Sequence, residues 1–375
     1  MTTARPAWLV LEDGTEFFGT AFGAVRPVGG EVVFNTGMTG YPETLTDPSY
    51  HGQILVLTYP LQGNYGVPKS GFESSRIQVQ GLVVCRYSAR PSHHSSVKSL
   101  GDWLRADGIP AVDGVDTRTL TRLLREHGTM EGFLLRDGSN IESAKQAAER
   151  VNMKRGVENV SPTEIVRYPG GDLRLLVIDT GAKENIVRSL QSRGASVIRA
   201  PFHARWEPLL KEVDGVMLTN GPGDPTNTSE LVERARAIFA QGLPLFGICL
   251  GHQMLALAAG AKTYKLKYGH RSQNQPVMDL ITRRAYLTSQ NHGYAVEESS
   301  LPPDWAPWFI NLNDGTNEGI RHRYRPFWSV QFHPEAAAGP HDTAFLFDDF
   351  LRVVGEVRKG QRHDDGNRTR LTAAT

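Results

Sequence analysis

Apolar and polar positions alternate with two different rhythms along this chain. Up to about residue 160 the apolar runs are short and separated by turns, the mark of a β-rich unit. Residues 7–18 read as a hairpin: Trp8-Leu9-Val10-Leu11, then Asp13-Gly14, then Thr15-Glu16-Phe17-Phe18, with the Asp-Gly pair marking a turn between strands. Segments 31–34, 53–58 and 80–85 are further strands, and Cys85, on an apolar run, is expected in the core. The stretches 35–42 and 47–50 are polar and turn-rich and read as surface loops. Helical spacing appears at 96–107 and at 117–127. Asp116 suits the N-cap of the second helix, and Leu120, Leu123 and Leu124 mark its apolar face. Another helix is expected at 141–151, followed by a linker at 161–172.

The second part alternates strand and helix. The continuous apolar run 173–179 predicts a strand buried on both faces. A helix (184–193), strands (196–200 and 215–219), a helix (229–241) and a strand (243–248) follow, and then a helical run at 254–259. Such β-α alternation implies a mainly parallel central sheet with helices on both faces, and ligands bind such folds beyond the C-terminal strand ends. Past residue 260 the pattern becomes shorter strands: 262–268, 285–288, 294–297, 308–312, 319–322 and 327–332. A closing amphipathic helix is expected at 341–355. The domains predicted are 1–165, an N-terminal β-rich α/β unit, and 166–358, with a disordered tail over 359–375.

Composition narrows the possibilities. The 375 residues carry a formal net charge of +1, with 39% hydrophobic and 22% charged residues. Bulk charge therefore drives the chain to neither nucleic acid nor a membrane surface. No apolar run approaches the roughly 18 residues that span a bilayer, and the first ten residues lack a secretory apolar core. Two cysteines make no disulfide framework, which suits a reducing, cytoplasmic setting.

Candidate chemistry centres on Gly247-Ile-Cys249-Leu-Gly251. A glycine two residues either side of a nucleophile is the strand-turn-helix elbow, in which the tight turn leaves no room for a Cβ. It presents the thiol at the sheet edge, over a helix N-terminus that favours thiolate. A cysteine nucleophile needs a base, and the base needs an orienting group. His333-Pro334-Glu335 ends a strand-like run, and period-two geometry would set His333 and Glu335 on one side. Oxyanion donors are the N–H of Leu250 and a glycine of the loop Asn220-Gly-Pro-Gly-Asp-Pro225, either Gly221 or Gly223. That loop lacks the Gly-Lys-Ser/Thr ending of a phosphate loop. His93-His94, His203 and His252 form no ligand set with zinc spacing, so no metal is expected. His252 is expected to pack or hydrogen-bond near the elbow.

The three motifs together resemble the class I, triad-type glutamine amidotransferases. The N-terminal part is similar to the small, glutamine-hydrolysing subunit of carbamoyl phosphate synthetases, through Asn35-Thr-Gly-Met-Thr-Gly-Tyr-Pro42, Leu45-Thr-Asp-Pro-Ser-Tyr50 and Asp116-Thr-Arg-Thr-Leu-Thr-Arg-Leu-Leu-Arg125. Gln290-Asn-His-Gly-Tyr294 and Pro334-Glu-Ala-Ala-Ala-Gly-Pro-His341 agree, and the resemblance runs from about residue 7 to 355. It implies that Cys249 attacks the side-chain amide of L-glutamine, with His333 as base and acid and Glu335 orienting it. Glutamine would be held by Ser49, Gly221, Gly223, Leu250, Gln253, Asn291, Gly293 and Tyr294. No cofactor is implied in this chain; ATP and magnesium would bind a large synthetase subunit that receives the ammonia. Tyr268-Gly-His-Arg-Ser-Gln-Asn-Gln-Pro276 and Ser329-Val-Gln-Phe-His333 are closer to the fused eukaryotic forms, though no synthetase domain is expected here. Two other readings stay open. One is a glutaminase serving another synthase, such as those for anthranilate or GMP, against which the N-terminal domain argues. The other is an inactive scaffold, against which the intact triad argues. A hydrolase or protease is more remote.

Overall fold

The structure, a computed structural model, describes residues 5–136, 140–151 and 155–372. Among them, seven strands close a barrel in the order Pro6–Leu11, Glu16–Gly23, Pro110–Asp113, Gly81–Tyr87, Gln53–Gln62, Val28–Asn35 and Met130–Arg136. The first two form the hairpin expected at Asp13-Gly14, where Gly14 takes φ 85° and the Asp13 carboxylate accepts from the Thr15 N–H at 2.9 Å. Helix Thr117–His127 is capped by the Asp116 carboxylate, which accepts from the Thr119 N–H. Its Leu120 and Leu124 are fully buried against the barrel, worth about 1.5–3 kcal/mol each.

The second sheet has ten strands among the described residues. Its centre is parallel, in the order Ser196–Pro201, Arg174–Asp179, Gly215–Leu218, Leu245–Ile248 and Phe327–Val330. Successive residues alternate between the two cores on its faces. Leu176, Ile178, Val216, Leu218 and Leu245 pack on one side, and Leu175, Val177, Met217 and Phe246 on the other. Antiparallel strands extend one edge, and Val166–Tyr168, inside the stretch expected to be a linker, pairs with Ser196–Pro201 at the other. No helix among the described residues is long and apolar enough to cross a membrane.

Several expectations are corrected. Of the stretches 35–42 and 47–50, only 36–39 is an exposed loop, with Met38 65% exposed. Otherwise they hold helix Tyr41–Thr46 and the 3-10 turn Pro48–Tyr50, with Tyr41, Leu45, Asp47, Ser49 and Tyr50 buried. Their apolar members pack on Leu55, Leu57 and Leu82, and the Asp47 side chain caps the Ser49 N–H. The stretches 285–288 and 294–297 are one strand, Ala285–Glu297, paired with Lys262–Asp279. Two register shifts carry this pair through polar residues that read as breaks. Cys85 is exposed, because burial in Gly81–Tyr87 stops at Val84. The closing helix runs over Phe345–Thr372, past the point where a disordered tail was expected. Its later residues include no proline to interrupt it.

Candidate active site

Strand Leu245–Ile248 delivers Cys249 to the C-terminal edge of the sheet, and helix Leu250–Ala259 leads away. Cys249 sits at φ 54°, ψ −105°, a conformation costly for a side-chain-bearing residue. The turn closes only because its flanks are bare. A Cβ on Gly247 would lie 2.6 Å from the Gly251 carbonyl oxygen, and one on Gly251 would lie 2.3 Å from that of Leu218. The Cys249 N–H is tied to the Val330 carbonyl at 2.9 Å, and its thiol donates to the Asn291 carbonyl at 3.7 Å. The thiol does not stand on the open surface. Cys249 is 3% exposed and reached through a cavity of about 460 Å³.

That cavity brings together Ser49, Gly221, Gly223, Gln253, Asn291, Gly293 and Tyr294 around Cys249. Leu250 does not line it, and its side chain lies in the core. Only its N–H, free of an intrahelical partner at the first helical position, remains for a ligand. Gln253 donates to the Tyr294 carbonyl at 2.9 Å and to Gln331 at 3.0 Å, and the Tyr294 hydroxyl donates to Asp224 at 3.2 Å. The glycine loop, the elbow helix and strand Ala285–Glu297 are thereby fixed to one another.

His333 lies past the end of its strand, which stops at Val330. An isolated bridge holds it, its N–H donating to the Ser289 carbonyl at 2.9 Å. A turn closed by the Ala336 N–H on the His333 carbonyl then brings Glu335 back. The pairing therefore comes from a turn and not from an extended segment. His333 Nδ1 and Glu335 Oε1 are 2.6 Å apart, both residues buried. His333 Nε2 is buried without a hydrogen bond and lies within electrostatic reach of the Cys249 sulfur. Burial, the largest single influence, opposes charge on His333, but the Glu335 carboxylate and the Cys249 side chain together outweigh it and raise the pKa to about 10. Burial likewise opposes charge on Glu335, yet Lys183 and His333 lower it to about 2. His252, expected near the elbow, is fully buried beside Ser329 Oγ at 2.9 Å, and burial lowers its pKa to about 3.

Sequence reasoning missed Lys183. It is buried, its Nζ lies 3.2 Å from Glu335 Oε1 and it also donates to the Ala336 carbonyl. Its position just past strand Arg174–Asp179, at the ligand-binding edge, was the available signal. Also missed were the polar bonds that join the two domains. Asn220 Nδ2 donates to Ser49 Oγ at 2.9 Å, and Asn291 Nδ2 donates to Asp47 Oδ2 at 3.0 Å, all buried. Nor did spacing reveal that His270, His292 and Glu318 converge.

Two outcomes are expected. Lys183→Met leaves the buried Glu335 carboxylate with only one of its two cations, so unfolding in urea should show a loss of about 3–5 kcal/mol. Glu335→Gln removes the main charge that holds the proton on His333, so its NMR titration should fall from about 10 toward the ordinary value or lower, with burial and Lys183 then opposed only by the Cys249 side chain.

Two family models match the chain: carbamoyl-phosphate synthase small chain, CPSase domain, at residues 9–134, and glutamine amidotransferase class-I at 176–353. The chain is 51% identical over 353 residues to the carbamoyl phosphate synthase small chain of Symbiobacterium thermophilum, covering 92% of this chain and 97% of that one. It is 46% identical over 384 residues to the arginine-specific small chain of Yarrowia lipolytica, covering 96% of this chain and 85% of that one. To the multifunctional protein CAD of Squalus acanthias it is 49% identical over 372 residues, covering 96% of this chain and 16% of that one. With both family models matched in order and each over its own domain, the chain belongs to the carbamoyl phosphate synthase small-chain family and carries a class I glutamine amidotransferase domain.

Proposed function

We propose that this chain hydrolyses L-glutamine at Cys249 and delivers the ammonia to a separate large synthetase subunit that makes carbamoyl phosphate from bicarbonate and ATP. The observation that carries the reading is the Cys249–His333–Glu335 array, in which Cys249 lines the cavity and the His333–Glu335 pair lies buried. The cavity is large enough for glutamine and bounded by both domains.

The thiolate of Cys249 attacks the amide carbon, and the oxyanion that forms takes N–H donors from Leu250 and the Gly221–Gly223 loop. His333 holds the proton given up by the thiol and passes it to the departing amine, so that ammonia leaves and a glutamyl thioester remains. His333, now neutral, takes a proton from water, which attacks the thioester. Glutamate leaves and the proton returns to the sulfur. Glu335 keeps the imidazole in orientation and stabilises its cation. Ser49, Gln253, Asn291, Gly293 and Tyr294 surround the substrate. Free ammonia is protonated at neutral pH and then cannot attack, which favours direct transfer to the partner. ATP and magnesium belong to that partner in this reading, and a reducing cytoplasm suits a catalytic thiol.

Cys249→Ser decides the matter. Glutamate release, and carbamoyl phosphate synthesis from glutamine with the large subunit, should fall at least a thousandfold. Synthesis from added ammonia should persist. Wild-type glutamate release should decline as pH rises through about 10, where His333 loses its proton. Unchanged glutamine-dependent synthesis in Cys249→Ser would refute the reading.

A further inference from the structure

Behind the cavity wall three strands bring together His270, His292 and Glu318, all buried. His270 and His292 are directly opposite in the pairing of Lys262–Asp279 with Ala285–Glu297, and Glu318 comes from Asn317–His322. One ligand-capable atom from each lies within 4.8 Å of the other two.

The hydrogen bonds on the outer side of each ring fix what faces inward. His270 Nε2 is 2.8 Å from Asp314 Oδ2, so this nitrogen carries a proton and donates. In the neutral ring its Nδ1 then presents a lone pair, 3.3 Å from Glu318 Oε1 and 3.5 Å from the Asn311 amide nitrogen. His292 Nδ1 is 2.8 Å from the Tyr294 carbonyl, which only accepts, so Nδ1 carries the proton there. Its Nε2 lone pair faces Gln290 Oε1 at 3.2 Å and Glu318 Oε1 at 4.0 Å. Asn311 Nδ2 donates to Glu318 Oε1 at 2.9 Å, while Glu318 Oε2 is buried with no partner. Two imidazole lone pairs, a carboxylate and an amide oxygen thus converge on one another at a buried place in the cavity wall. One amide donor, Asn311 Nδ2, is shared by Glu318 and His270, and the remaining repulsion is relieved only if a proton or a metal cation stands among them.

We propose that His270 Nδ1, His292 Nε2 and the Glu318 carboxylate bind a divalent cation of zinc's class, with Gln290 Oε1 as the fourth donor. The separations of 3.2, 3.3 and 4.0 Å, with the three His and Glu ligand atoms all within 4.8 Å of one another, lie near or above the roughly 3.3 Å between ligands of a tetrahedral zinc, so binding draws the side chains inward. Two nitrogens with oxygens suit zinc over magnesium or calcium. The outer bonds, a carboxylate on one histidine and a backbone carbonyl on the other, are what zinc-binding histidines require. His292 also lines the glutamine cavity, which gives the ion a way in. The role is structural, because the ion clamps the strand that carries Asn291, Gly293 and Tyr294. It goes beyond the proposed glutaminase reaction, and its test does not read activity.

The full-length chain, stripped with a chelator, is incubated with zinc or with cobalt, desalted and measured by mass spectrometry of the elements and by visible absorption. About one equivalent of zinc should remain per chain, and cobalt should give the intense visible bands of a tetrahedral site. His93→Ala/His94→Ala should keep both signals, and Glu318→Gln and His270→Asn should lose them. Two outcomes overturn the proposal: a wild-type chain that retains neither metal, which leaves a proton on His270 as the cation, or a Glu318→Gln chain that retains zinc like the wild type. The wild-type measurement stands even where a variant fails to fold.

Discussion

The site depends on one buried chain of charges, Lys183–Glu335–His333. Glu335 lies 3.2 Å from the lysine ammonium and 2.6 Å from the imidazole. An isolated carboxylate at this depth would take a proton and lose its function. Between two cations it stays ionised, and it keeps His333 protonated in return. Lys183 is balanced in turn by Asp47 and Glu73 as well as by Glu335. Asp47 and Glu73 belong to the N-terminal part, so the barrel domain takes part in the electrostatics of a triad that lies wholly in the other domain.

The same dependence appears in hydrogen bonds. Asp47 and Ser49 reach across to Asn291 and Asn220, which belong to the elements that flank Cys249. Gly40 has no space for a side chain, since a Cβ there would lie 2.1 Å from that of Ala338, just past the triad glutamate. The contact is too close to be a loose docking of two independent units. The barrel serves as one wall of the active site: Asp47 and Ser49 are buried against polar partners in the other domain, while Tyr41, Leu45 and Tyr50 are buried in the barrel's own core.

Elements whose signals are local were legible in the sequence. The parallel strands, the elbow with its paired glycines, the capped helix Thr117–His127 and the Asp13-Gly14 hairpin all follow from short-range pattern and sterics. Tertiary partners decided the rest. Residues 35–42 and 47–50 read as loops because neither packing on the barrel's own core nor polar bonds to the other domain leave a mark in local composition. Gln290, Asn291 and His292 broke the strand pattern because their polar side chains meet buried polar partners instead of water. Lys183 carried no motif of its own, and its meaning depends on Glu335, more than 150 residues away. Ser49 was found only through family resemblance, and the structure supplies the physical reason in its bond to Asn220.

The central claim is that Cys249, in this strained turn and beside His333, is the group that glutamine meets. The direct measurement is alkylation by a chloroketone analogue of glutamine, located by peptide mass spectrometry. The expected result is one label per chain, on Cys249, formed in step with the loss of glutaminase activity and suppressed by L-glutamine. Activity lost through a label on Cys85 or any other residue, or labelling of Cys249 that glutamine does not slow, would contradict the account.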